Sequence, residues 1–230
     1  MSREAGRADA PKRLEPTPPL TGAWIDAWIS RVRASLAAHL ADFEARFGYP
    51  PDSNSIESAE GFGGAEWFDV AAALPAALPA ALPGDLLLLY RHVSQLSLPD
   101  VGVGLFVHSL PQTVAGLRGD LPTRIVGAVE GSAVADPVVE DPVVVFGSDG
   151  GGALFALSRT DGATVYRLPP GRVEGSVYHC GAAAAEGAEA LAASLQGFLA
   201  HVETRVEREL LAELRPTGNH PRPSRRHPCG

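Results

Sequence analysis

Lysine is nearly missing from this 230-residue chain: Lys12 stands alone, and the other 18 of its 19 basic residues are arginine. With so much alanine, glycine and proline, that bias is the mark of GC-rich coding and concerns origin rather than function. Cysteine is almost as scarce. Cys180 and Cys229 are too few and too oddly placed for a disulfide framework, so reduced thiols in a cytoplasmic protein are expected. Long apolar runs are lacking too, since stretches such as Leu86 to Tyr90 and Val143 to Phe146 fall far short of the roughly 18 residues that span a bilayer. The first twenty residues carry charges and prolines instead of an apolar segment, and neither a membrane span nor a signal peptide is expected.

Signatures of chemistry are equally thin. The seven histidines, His39, His92, His108, His179, His201, His220 and His227, form no H-E-x-x-H, and there is no C-x-x-C, so no metal site is expected. The glycine run Gly147 to Gly152 lies between strand-like segments and has no lysine nearby, whereas a phosphate cradle needs its glycines to open a helix. It reads as a wide hairpin turn. Ser148 lacks the G-x-S-x-G elbow, and Cys180 follows His179 along a strand, where neighbours point to opposite faces. Paired carboxylates such as Glu140 and Asp141 arise by chance in an acidic chain. The expectation is a protein that is not an enzyme and takes no cofactor.

What the chain does have is a core and an uneven charge. Hydrophobic residues make up 45% of it, enough to exclude wholesale disorder, and its length suits one domain. Residues 1–20 hold four bases, three acids and four prolines and read as a disordered leader. Residues 215–230 hold four arginines, four prolines and no acid, a basic tail unable to form a core. The overall charge of −8 therefore hides a domain, 21–214, with 11 bases against 24 acids and a net charge of −13. Such a surface repels nucleic acid phosphates and steers a basic partner inward, although it serves solubility equally well.

Apolar spacing of three and four from Trp24 to Phe47 predicts one long helix, stopped by Gly48 and Pro50. Glu66 to Leu74 predicts a short helix, the prolines of LPAALPAALP at 74–83 predict a linker, and Pro83 opens a new helix that runs to Arg91. The period then drops to two. Short strands are predicted at Val93 to Leu98, 105–107, 124–129, 143–148, 153–158, 163–169 and Val173 to His179, with a short helix at 110–118. Asp149-Gly150 and Asp161-Gly162 mark turns, and helical spacing returns from Ala188 to Leu214. Helices, an antiparallel meander and a closing helix make an α+β single domain.

Several segments, in this order, resemble the SMI1/KNR4 family of the SUKH superfamily: LPGDLLLLYRHV at 82–93, SLPDVGVGLFVH at 97–108, VVVFGSDGGGALFALSRTDGATVYRLPPG at 143–171 and LAASLQGFL at 191–199. The resemblance is best over 82–199. It implies a non-catalytic binding domain with an SMI1/KNR4-like sheet flanked by helices. Bacterial members look like immunity proteins that neutralise a cognate toxin, often a nuclease, in the cytoplasm, and a −13 charge suits a basic nuclease. The alternative is a housekeeping scaffold or regulator using a SUKH-like domain for cytoplasmic protein–protein interactions. For partner binding the candidates are Asp100, Asp149, Asp161 and Tyr166, with Trp67 and Tyr178 as aromatic anchors. Their plainer roles are turn formation for the aspartates and core packing for the aromatics.

Overall fold

The computed structural model of the chain describes residues 19–59, 82–127, 139–180 and 188–213. Both charged ends, Trp67, the Glu66 to Leu74 segment and most of the proline repeat lie outside the described residues.

Helix α1, Gly22–Leu40, starts where the Thr21 hydroxyl accepts the Trp24 N–H at 3.3 Å. Its buried stripe of Ile25, Trp28, Ile29, Val32 and Leu36 is the one its spacing predicts. The predicted single helix instead breaks at Ala41 and Asp42. A separate one-turn helix α2, Phe43–Phe47, follows and ends at Gly48 with φ 81. Strand β1, Ser55–Ser58, occupies what the composition marks as loop. Helix α3 is Gly84–Tyr90, with Pro83 as its cap rather than its first helical residue.

The predicted strands are present as β2 (Val93–Leu98), β3 (Leu105–Val107), β4 (Arg124–Gly127), β5 (Val139–Asp149), β6 (Leu154–Ser158) and β7 (Val165–Leu168). Between β3 and β4 lies α4, Leu110–Ala115, whose start is a reciprocal cap of Ser109 with Gln112. It runs on into a π-helical turn, Gly116–Asp120. Two expectations are corrected. The segment Val173 to His179 is two strands, β8 (Arg172–Glu174) and β9 (Val177–Cys180), folded at Gly175-Ser176. The segment after Ala188 begins as strand β10, Glu189–Ala192, and only then becomes helix α5, Leu195–Glu213.

The sheet is mostly antiparallel, but it is not a plain meander. Its described order is β1-β2-β3-β5-β4-β9-β8, with β6 beside β5, β7 beside β6 and β10 beside β7. β4 and β9 run parallel. β5 pairs with three strands: β4 along 139–142, β6 along 143–148 and β3 along 147–149, with a register shift between Val145 and Gly147.

Both faces of this central strand are covered. Val144 and Phe146 join Phe155, Leu157 and the buried sides of α1, α3 and α5 in the main core. Val143 and Val145 point the other way, into a second core with Ile125, Ala156, Tyr166, Leu168, Tyr178 and Cys180. A strand buried on both sides reads as a continuous apolar run, which is why Val143 to Phe146 shows no alternation. α1 and α5 lie side by side in the same direction. Trp28 Nε1 donates to the Leu199 carbonyl at 2.8 Å, and one turn further along Arg31 meets Glu203.

Candidate partner-binding face

Three aromatic rings follow the break after Leu40. In one continuous helix Phe43 and Phe47, four apart, would share a buried face. They share a face within α2 as well, but there Phe43 alone is buried, against the His39 ring at 5.8 Å. Phe47 packs on it at 4.5 Å and Tyr49 at 5.6 Å, yet these outer rings stay 47% and 55% exposed. Gly48 reverses the chain between them so that both flank Phe43. The Arg46 guanidinium donates to the His39 carbonyl and lies 5.5 Å from the Phe47 ring, which fixes α2 to the end of α1.

Asp100 ties the next segment to this corner. Its carboxylate accepts the Asp52 backbone N–H at 2.8 Å and the Asn54 side-chain amide at 2.5 Å, while its carbonyl lies 3.2 Å from His39 Nε2. Two residues on, Gly102 sits against the Arg205 and Glu209 side chains of α5. Since α1 and α5 advance together from Arg31 and Glu203, Leu40 and Leu211 lie at about the same level, roughly 13.5 and 12 Å further along at about 1.5 Å per residue. One end of the molecule thus gathers Phe47, Tyr49, Val103 and Leu211, four of the five large apolar side chains that stand exposed among the described residues. Charges of both signs accompany them: Asp42, Glu44 and Asp52 are exposed and Asp100 and Glu209 half-buried, while Arg46 lies against Phe47 and Arg205 against Gly102.

The other sequence candidates divide. Asp149 lies beside this face, because the backbone of Gly150 packs against the Val103 carbonyl. Its side chain, however, is turned inward: Oδ1 accepts the N–H groups of Gly151 and Ala153 at 2.9 and 2.8 Å, and Oδ2 is 3.5 Å from Arg167. Asp161 is at the far end of β6, where its carboxylate accepts the N–H groups of Ala163 and Thr164 and the Thr164 hydroxyl. Burial pushes its pKa up, but these bonds and the Ser158 hydroxyl outweigh that and hold it below the ordinary carboxylate value.

Tyr166 and Tyr178 are 7% and 2% exposed, inside the second core. Their hydroxyls donate to Asp141 at 2.9 Å and to the Pro169 carbonyl at 2.7 Å, so a partner cannot pack on either ring without opening the sheet. Burial, reinforced by Asp141, raises the Tyr166 hydroxyl's pKa far above its usual value. Trp67 lies outside the described residues. Of the six candidates, then, Asp100 is the one whose carboxylate helps build the exposed face.

Sequence reasoning missed Phe47 and Tyr49 as surface residues. A signal was present in Phe-Gly-Tyr-Pro-Pro: aromatics on either side of a helix stop, followed by two prolines, have no regular element to carry them inward. Among the described residues no group of three or more His, Cys, Asp or Glu is placed to hold a metal ion, and no helix is long and apolar enough to cross a membrane. No family model, curated protein or solved structure matches the chain.

Proposed function

We propose that this is a non-catalytic protein-binding domain, acting in the cytoplasm as an immunity protein that neutralises a cognate toxin of basic character, with a nuclease as the class its charge suits best. One observation carries the reading: two exposed aromatic rings, Phe47 and Tyr49, stand packed on the buried Phe43, with Asp42, Glu44 and Asp52 exposed in the same stretch of chain. Large aromatic side chains surrounded by polar groups are the usual anchors of protein interfaces, because they bury much area at little cost in side-chain entropy. The net charge of −13 over 21–214 adds long-range attraction for a basic partner and repels nucleic acid. The resemblance of 82–199 to SMI1/KNR4 domains points the same way.

The test is co-expression with toxin genes from the same locus, paired with a pull-down. Rescue of growth and capture of a basic protein are expected, and both are lost in a Phe47→Ser/Tyr49→Ser variant, whose affinity falls by about 2 kcal/mol per anchor, or about thirtyfold. Asp161→Asn, at the opposite end, leaves capture intact. Absence of both rescue and capture overturns the proposal, while capture of a partner without rescue favours the scaffold or regulator.

A further inference from the structure

The fifth exposed apolar side chain, Val173, is 46% exposed and belongs to a different surface. It sits at the centre of β8, whose three residues, Arg172, Val173 and Glu174, are all exposed. Among the described residues β8 pairs with β9 alone, and no described strand lies along its other edge. The sheet's opposite margin is treated differently: Arg33 of α1 donates to the Ile56 carbonyl of β1 at 2.7 Å and so occupies an edge acceptor. Open strand edges invite pairing with another chain, and proteins blunt them with short strands, charged side chains or covering groups. β8 is short and charged, but its charges are of opposite sign and can face each other across a two-fold axis.

The outward groups of β8 follow from its hairpin. Gly175 has φ 60 and Ser176 does not have positive φ, the signature of a two-residue II′ turn between Glu174 and Val177. In such a hairpin the flanking residues are the hydrogen-bonded pair, and pairs alternate from there. Glu174 therefore bonds Val177, whereas Val173, opposite Tyr178, turns its N–H and C=O to the open edge.

We propose that β8 is a self-association edge whose occupant is β8 of a second copy of this chain, paired antiparallel about a two-fold axis through Val173. The register needs no adjustment. With Val173 opposite Val173, their N–H and C=O groups exchange two hydrogen bonds, and Arg172 of each copy falls opposite Glu174 of the other. Opposite charges therefore meet twice, on the closely spaced non-hydrogen-bonded pairs. Arg172 and Glu174 already form an ion pair within the strand, with His179 Nε2 3.5 Å from Glu174, so the charges are arranged on one face before association. On the other face Val173 lies on the side of the buried Tyr178, and the two second cores extend toward each other across the axis. Three residues a side make a small interface, below the roughly 1,000 Å² of stable complexes, so the dimer is a weak and concentration-dependent one.

Sedimentation velocity on the full chain, from low micromolar concentration toward millimolar, is expected to show a monomer passing reversibly to a dimer. Glu174→Arg sets Arg172 opposite arginine and raises the dimer Kd at least about tenfold, and Arg172→Glu does the same with acids. Mixing these two variants restores association as a heterodimer, which a misfolded protein cannot do. Val173→Pro removes the outward N–H while sparing every bond to β9, and abolishes the dimer with the circular dichroism unchanged. A wild-type chain that stays monomeric at the highest concentration, or a dimer indifferent to charge reversal and unrescued by mixing, overturns the proposal.

Discussion

Asp100 joins three stretches of chain through one side chain and its own carbonyl: the 98–104 turn, the Asp52 to Asn54 approach to β1, and His39 at the end of α1. Replacing it with alanine strands two donors, and Asp100→Ala is expected to lower stability by about 2 kcal/mol in urea unfolding. Phe47→Ser and Tyr49→Ser, whose rings are half in solvent, are expected to cost about 1 kcal/mol each, less than Asp100→Ala, while removing binding. Two histidines contribute to the pH dependence. Burial lowers the pKa of His108, and burial together with Arg205 and Arg208 lowers that of His201. The unfolded chain therefore takes up protons at these sites before the folded one does. Stability from these sites is present above the unfolded value of about 6.5 and is lost as pH falls below it. Thermal midpoints should drop from pH 7 to pH 5, and His108→Gln should flatten the profile, as scanning calorimetry can show. Asp161, held below the ordinary carboxylate value, adds a loss of the same sign only near pH 4 and lower.

Among the elements, the Asp149 to Gly152 turn carries the clearest steric constraint. A Cβ on Gly150 would stand 1.9 Å from the Val103 carbonyl oxygen, a backbone atom that cannot rotate aside. Gly150→Ala is expected to cost about 3 kcal/mol and to loosen the Val103 loop beside the binding face, measurable by denaturant unfolding. That turn was legible in advance, because Asp-Gly-Gly-Gly between apolar runs admits little else. β1 was not: Ser55–Ser58 has Ile56 as its single apolar residue, and pairing with β2 supplies what local pattern lacks. β10 was hidden for the opposite reason. Glu-Ala-Leu-Ala favours helix locally, and its place beside β7 is won by tertiary contact. The break between α1 and α2 also escaped the pattern, since apolar spacing continues through Phe43 and Phe47. The exposure of Phe47 and Tyr49 was not legible in the apolar spacing either.

At the scale of the whole molecule, α+β class followed from element order, but the branching at β5 and the parallel β4·β9 pair rest on long-range pairings that no local period encodes. Charge was readable in outline. Its net of −13 over 21–214 predicts that partner association slows steeply as salt rises, because the screening length shrinks from about 10 Å at 0.1 M to about 3 Å at 1 M. Dissociation, governed by the aromatic anchors, should change far less, and surface plasmon resonance separates the two rates. The position of β5 has a further consequence, for cooperativity. A protein with two cores has the means to unfold in two steps, one core melting while the other holds. Here Val143 to Phe146 supply side chains to both, and the same strand hydrogen-bonds three others. Opening either core disturbs this shared strand, so unfolding is expected to be a single transition by calorimetry, with the slowest amide hydrogen exchange among the β5 residues bonded to β6.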